Sequence, residues 1–173
     1  MTSVRRASGT IHVFTFKEGL LAAAAHDLRL RFDRFTCHLD GDAVRVVIAL
    51  SSLHVDGPVR GGVVRPGEYD DRRRAEIEGA TRRDVLRTDR FPTATFAGQA
   101  IAAPCGYDVR GTLTLAGREG PLSFAMKKDG ASHRGSFDLQ PSRWGIAPYS
   151  AMLGTIRVQD RVRIEVAVTE LHD

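Results

Sequence analysis

The stretch Tyr107-Asp108-Val109-Arg110-Gly111-Thr112-Leu113-Thr114-Leu115 decides how this chain is read. Tyr107, Val109, Gly111, Leu113 and Leu115 are apolar or small, and Asp108, Arg110, Thr112 and Thr114 alternate with them. A period of two puts one set on each face of a strand, so the segment predicts a strand with one apolar face. The same period recurs on both sides of it. Val44, Val46, Ile48 and Leu50 share a face, as do Leu122, Phe124 and Met126, then His133, Gly135, Phe137 and Leu139, and finally Val162, Ile164, Val166 and Val168. Residues 11–16, 27–39 and 93–101 complete a set of about eight strands. In the longest, the phase of Leu28, Leu30 and Phe32 reverses at Phe35, Cys37 and Leu39, which predicts a bulge near Asp33 and Arg34.

The connections are short. Asp40-Gly41-Asp42, residues 116–121 and Lys128-Asp129-Gly130 have hairpin chemistry, so consecutive strands should pair antiparallel in a meander. One region departs from the pattern, a loop–helix excursion at about 57–90. There residues 57–67, rich in Gly, Pro and Arg, read as a loop, and residues 70–87 read as a helix whose less polar positions are Ile77, Ala80, Thr81, Val85 and Leu86. Arg72-Arg73-Arg74 with Arg82-Arg83 reads as its solvated face. A second short helix is expected over residues 18–25. With 173 residues, 42% apolar and 27% charged, the chain reads as one domain over 1–173 and not as a disordered segment.

The formal charge of +4 permits an acidic partner without arguing for one, and no nucleic-acid partner is expected. The two cysteines, Cys37 and Cys105, are too few for a disulfide scaffold, and whether they pair is open. No run approaches the length of a membrane-spanning helix. The apolar run at residues 20–25 is shorter than the core of a secretion signal and follows a strand-like segment, so a cytoplasmic protein is expected. There is no His-x-His, Cys-x-x-Cys, His-Glu-x-x-His or Gly-x-Ser-x-Gly pattern, and no catalytic or metal-ligating residue is assigned. His26-Asp27 resembles a metal dyad, but it opens a strand where that chemistry needs helices.

About eight antiparallel strands, each with one apolar face, bury those faces in an all-β sandwich or barrel. An eight-stranded barrel is just wide enough to be filled by its own side chains or to hold one small ligand. The inward positions, by phase, are Leu28, Leu30, Phe32, Val46, Ile48, Phe96, Val109, Leu113, Phe124, Met126, Phe137, Ile164 and Val166. Gly98, Gly111 and Gly135 share these registers, and both a packed core with glycine bends and a ligand space answer to them. Trp144, Ile146, Tyr149 and Met152 lie between strands, where they read as the lining of an entrance; a plug at one end is the alternative for Trp144. His26 and His133 fall in inward phases, each either satisfied by a backbone hydrogen bond or free to contact a ligand head group.

These residues resemble the YceI-like proteins. The matching stretches are His26-Asp27-Leu28 leading into Phe32 and Phe35, then Phe91-Pro92-Thr93-Ala94-Thr95-Phe96, the 107–117 strand followed by Pro121-Leu122, Ser142-Arg143-Trp144-Gly145-Ile146, and Gln159-Asp160-Arg161-Val162-Arg163-Ile164. In order and spacing they cover about residues 11–171. The resemblance implies an extended lipocalin-like barrel of about eight antiparallel strands with one or two short helices. It implies binding without turnover of a long-chain lipid, typically a polyisoprenoid such as a quinone tail, in some relatives a fatty-acid-like amphiphile. A bound lipid of that kind is the one cofactor-like molecule it suggests. A filled barrel serving as a stress-related interaction module is the other reading. Relatives often pair, so a homodimer is expected by analogy alone. The short approach Arg87-Thr88-Asp89-Arg90 and the 57–67 loop depart from the family pattern and would reshape the barrel mouth.

Overall fold

The computed structural model describes residues 5–19 and 26–170. Among them one antiparallel sheet closes into an eight-staved barrel. The first stave is β1 (Arg5–Glu18), the second β2 (Asp27–Phe32) with β3 (Phe35–Asp40), and the third β4 (Ala43–Ala49) with β5 (Leu53–Arg60). After β6 (Val63–Val64) and helix α1 (Asp71–Ala80), the wall continues through β7 (Thr93–Ala103), β8 (Gly106–Leu115), β9 (Arg118–Asp129) and β10 (Ser132–Leu139). The short β11 (Ser150–Ala151) precedes β12 (Ile156–Glu170), which returns to β1 with Ala7 opposite Glu170 and Thr15 opposite Val162. The expected meander and barrel are therefore what the chain forms.

The bulge lies where the phase reversal placed it. Phe32 stands opposite Ile11 and Cys37 opposite Ala7, so four steps along β1 match five along β2 and β3. The extra residue at Asp33–Arg34 moves the inward set from Leu28, Leu30 and Phe32 to Phe35, Cys37 and Leu39, whose partners on β4 are Ile48, Val46 and Val44.

Two expectations are corrected. Residues 57–67 are not simply a loop, because β5 runs to Arg60 and pairs with β2 before turning back on β6. Gly57 and Pro58 argue against a strand, yet the β2–β5 register slips by one between Arg29 and Leu30, and a bulge is a place where strand proline is tolerated. Residues 116–121 are likewise not all turn. Ala116 and Gly117, at φ +50° and +73°, make a two-residue hairpin, and β9 starts directly after them. Pro121 pairs with Thr112 on β8, while β10 joins β9 only at 126–129, so its missing N–H leaves no ladder bond unmade on that side. Of the second expected helix, residues 20–25 lie outside the described residues.

The remaining helix forms as expected. Asp70 caps it, accepting from the Arg73 backbone N–H at 2.7 Å. Beyond Ala80 it widens into a π-helical turn over Thr81–Leu86 and stops at Arg87, whose φ is +49°. It lies along the part of the β5 edge, before Val59, that β6 does not cover. There the Val55 N–H donates to the Glu78 carboxylate at 2.9 Å, and the Arg82 guanidinium donates to the Leu53 carbonyl. Arg82, read from the sequence as solvated, and Glu78 thus serve backbone groups that an open edge leaves unpaired.

One end of the barrel is filled. Gly98 and Gly111 face each other on β7 and β8, and the Phe96 ring lies over Gly111, where a Cβ would stand 2.7 Å from its Cζ and 2.4 Å from the Ala97 carbonyl oxygen. Phe124 stacks on Phe137 at 4.5 Å between centroids, with Phe96 at 6.4 Å from Phe124. Below this aromatic floor Val109 and Met126 are buried with Val44, Ala100 and Val168. Gly111 and Gly135 are therefore space for the Phe96 and Phe124 rings, while Gly98 lets the β7 and β8 backbones approach. Gly111→Val should lower stability by roughly 2 kcal/mol through overpacking, read as a lower urea midpoint at unchanged slope.

Candidate ligand cavity

Above the aromatic floor the barrel is hollow. A cavity of about 250 Å³ is walled by apolar atoms from β1, β2, β4 and β7 to β10, and from β12 on the closing side. Its ceiling is the far end of the helix, through Thr81, Val85 and Leu86, beside Pro141 and Ile146. A second space of about 450 Å³ shares Thr15, Leu30, Thr81, Val85, Pro141, Ile146 and Val162 with the first, so the two adjoin as an inner and an outer lobe. The outer lobe is lined differently. Lys17, His26, Tyr69, Arg73, Glu76, Arg157 and Gln159 join Leu28, Ile77 and Tyr149 there. From the inner space to the outer one, the vestibule, the lining thus changes from wholly apolar to mostly apolar with polar, mainly cationic side chains among it.

Most of the inward positions read from the sequence meet here. Leu30, Phe32, Val46, Ile48, Phe96, Leu113, Phe124, Phe137, Ile146, Ile164 and Val166 line the deep lobe. Leu28, Tyr149 and His26 line the vestibule. Val109 and Met126 face inward but lie beneath the floor, away from the hollow. His133 is at that filled end as well, edge-on to Tyr107 at 5.1 Å. Trp144 is 4% exposed, its indole N–H donating to the Leu113 carbonyl at 3.0 Å and its ring covering Gly120, so it packs into the wall beside the gap between β9 and β10. The side chain of Met152 lies outside the described residues.

Sequence reasoning missed Ile11 and Val13 on β1, Leu50, Leu53, Ala94, Leu122 and Val162, and the helical ceiling. The alternation of Ile11, Val13 and Thr15 was a usable signal; Val85 and Leu86 were visible as apolar positions, but nothing in the sequence says which surface a helix covers. Cys37 is buried and Cys105 exposed, both free, and burial holds the Cys37 thiol above its ordinary range. Asp27 accepts from the Lys17 N–H at 2.8 Å. His26 and His133 stand at opposite ends of the barrel, and among the described residues no three of His, Cys, Asp and Glu converge as metal ligands would. Nor is any described helix long and apolar enough to cross a membrane.

The YceI-like domain family matches residues 5–169 of the chain. No curated protein matches it in sequence. Among solved structures, a polyisoprenoid-binding domain from Saccharophagus degradans, implicated in plant cell wall breakdown, superposes with a TM-score of 0.67 at 13% identity over 100% of both chains. Burkholderia cenocepacia BcnA gives 0.61 at 17% identity, covering 92% of this chain and 94% of its own. The Campylobacter jejuni YCEI protein gives 0.57 at 12% identity, over 83% and 85%. At these identities the likeness is one of fold.

Outside the barrel, a chain of ionic contacts ties β1, β2, β5 and the helix together. Asp56, 8% exposed, accepts from Arg29 at 2.7 Å and also from Arg31, with His12 at 3.8 Å. Arg31 bonds Asp33, and His54 stands between Asp33 at 3.2 Å and Glu78 at 3.3 Å. Burial first, then the Arg29 charge, holds the His12 imidazole below its ordinary 6.5. The unfolded chain therefore binds a proton at His12 before the folded one does, and stability falls as pH drops through about 6.5 until the folded group also titrates. Asp138, held low by Arg163 and Arg161, acts only in the more acidic range below the ordinary carboxylate value. A His12→Gln variant should lose part of the fall in Tm between about pH 7.5 and 5.5, followed by calorimetry at matched ionic strength.

Proposed function

The chain belongs to the YceI-like domain family, and on that footing we propose that it binds a long-chain apolar molecule, a polyisoprenoid above all, as a carrier without turnover. The observation that carries this reading is the wholly apolar lobe beside a mostly apolar vestibule that carries a few cationic side chains. Each methylene moved from water into such a lobe contributes about 0.8 kcal/mol, so a five-carbon unit contributes up to ~4 kcal/mol before ordering costs. A few units give useful affinity with no directional anchor. Taken together, the spaces of about 250 and 450 Å³ fall in the size range of small-molecule sites, roughly 300–1,000 Å³. The polyisoprenoid-binding domain with the same fold is consistent with this ligand class.

A fatty acid is the second reading, favoured by one feature. Lys17, Arg73 and Arg157 line the vestibule against the single carboxylate of Glu76, an arrangement that suits an anionic head group on a shorter chain. In either case the side chains that reach the ligand are apolar and inert, and the polar ones stand at its outer end.

Organic extraction of the purified protein followed by mass spectrometry identifies the occupant. An isoprenoid in the extract supports the proposal, a fatty acid the second reading, and failure both to retain and to take up either class would refute both. Ile48→Trp, which fills the deep lobe, should retain at least about tenfold less ligand than the wild type, a loss of ~1.4 kcal/mol or more, with its strand circular dichroism unchanged.

A further inference from the structure

The geometry points to the rim of the vestibule as a docking surface for an anionic lipid bilayer; the inference rests on the apolar ligand proposed above. The rim is formed by the hairpin of β11 and β12, in which Ser150 faces Arg157, Ala151 faces Ile156, and the Val158 N–H donates to the Tyr149 carbonyl at 3.0 Å. At its tip Leu153 is fully exposed, at 106% of its reference area, and it holds a left-handed φ of +55°. Leucine seldom adopts that conformation, and Gly154 beside it, at φ +84°, is the residue type the turn favours. A side chain that gains no burial is thus held out on an unfavourable backbone. Tyr149, at the root of the same hairpin, is 42% exposed and also lines the vestibule.

Among the charged side chains that line the vestibule, cations prevail. Lys17, Arg73 and Arg157 line the vestibule with the single carboxylate of Glu76, and Glu18 stands opposite Arg157 in the β1–β12 ladder. Among the described residues neither Lys17 nor Arg157 makes an ion pair through its side chain, while Arg73 is held over the Tyr69 ring at 5.6 Å. An aliphatic tip, a tyrosine beside it and cations behind it match the layers of a bilayer surface, where acyl chains, the interfacial zone and anionic head groups follow in that order.

Two further considerations favour a bilayer over a second copy of the chain. One exposed leucine and one half-exposed tyrosine are far short of the roughly 800 Å² per partner of a stable protein interface. And a chain as apolar as the recess lacks a favourable route through water, so transfer is eased where the vestibule meets the membrane directly.

Sedimentation with vesicles tests this. Vesicles of phosphatidylcholine with phosphatidylglycerol should pull down the wild-type protein at low salt, at least fivefold more than phosphatidylcholine alone, and raised ionic strength should release it. Leu153→Gly relaxes the left-handed backbone and removes the aliphatic tip, so it should fold at least as well as the wild type yet lose most of the vesicle-bound fraction. Leu153→Asp should lose it too. Both should keep the wild-type content of extractable lipid, which separates failed docking from failed ligand binding. Wild-type levels of sedimentation by both variants, or equal affinity for the two vesicle types, would overturn the proposal. So would a dimer in analytical ultracentrifugation that the Leu153 variants dissolve, since the tip would then serve a second copy.

Discussion

The ladder between β1 and β12 is the contact on which everything else depends. It joins the first long strand to the last, from Ala7 opposite Glu170 to Glu18 opposite Arg157. Without it the sheet would end in two long open edges, and the apolar faces of eight staves would have no enclosed side. Closure also fixes the bore. With eight staves the inner side chains nearly meet, so a few residues decide whether the interior is solid or hollow. At one end Phe96, Phe124 and Phe137, given room by Gly111 and Gly135, close it. At the other end the wall residues are, Phe32 apart, mostly aliphatic and do not reach across. Protein interiors are normally packed to crystal-like density, and an apolar hollow forgoes those contacts unless a guest supplies them.

The vestibule arises from a second departure from the plain barrel. The turn at Leu50–Ser52 carries β5 away from β7, so the third stave splits and β5 follows β2 outward with an edge that β6 covers only at Val59 and Arg60. The helix answers that edge through Glu78 and Arg82, and so becomes the roof of the deep lobe and one wall of the outer one. The ionic chain from Asp56 through Arg31, Asp33 and His54 to Glu78 holds this roof from outside, where water does not compete with the ligand. Apolar residues make the space, and charged residues keep its cover in place.

How much of this was legible in the sequence follows from what alternation encodes. A period of two reports which face a residue occupies, so the staves, their meander and even the bulge at Asp33–Arg34 could be read directly. It does not report depth along the barrel axis. Val109 and Met126 have the inward phase of Leu113 and Phe124 but sit under the floor, a distinction set by strand stagger. β5 escaped notice because Asp56, Gly57 and Pro58 interrupt its pattern, and only the bulge opposite Arg29 accommodates them. Glu78 and Arg82 resemble any solvated helical pair; their role exists only because an edge without a partner happens to lie beneath them. Trp144 stands outside any period, and its seat against Gly120 and the Leu113 carbonyl could come only from coordinates.

The most direct test of the central claim, that this barrel shelters an apolar chain in its hollow end, is methyl NMR during titration with a long-chain isoprenoid alcohol. Shifts should concentrate on Val13, Leu30, Ile48, Leu113 and Ile164, with Val109 and Met126 beneath the floor moving far less. Shifts confined to outward-facing methyls, or none at saturating ligand, would contradict it.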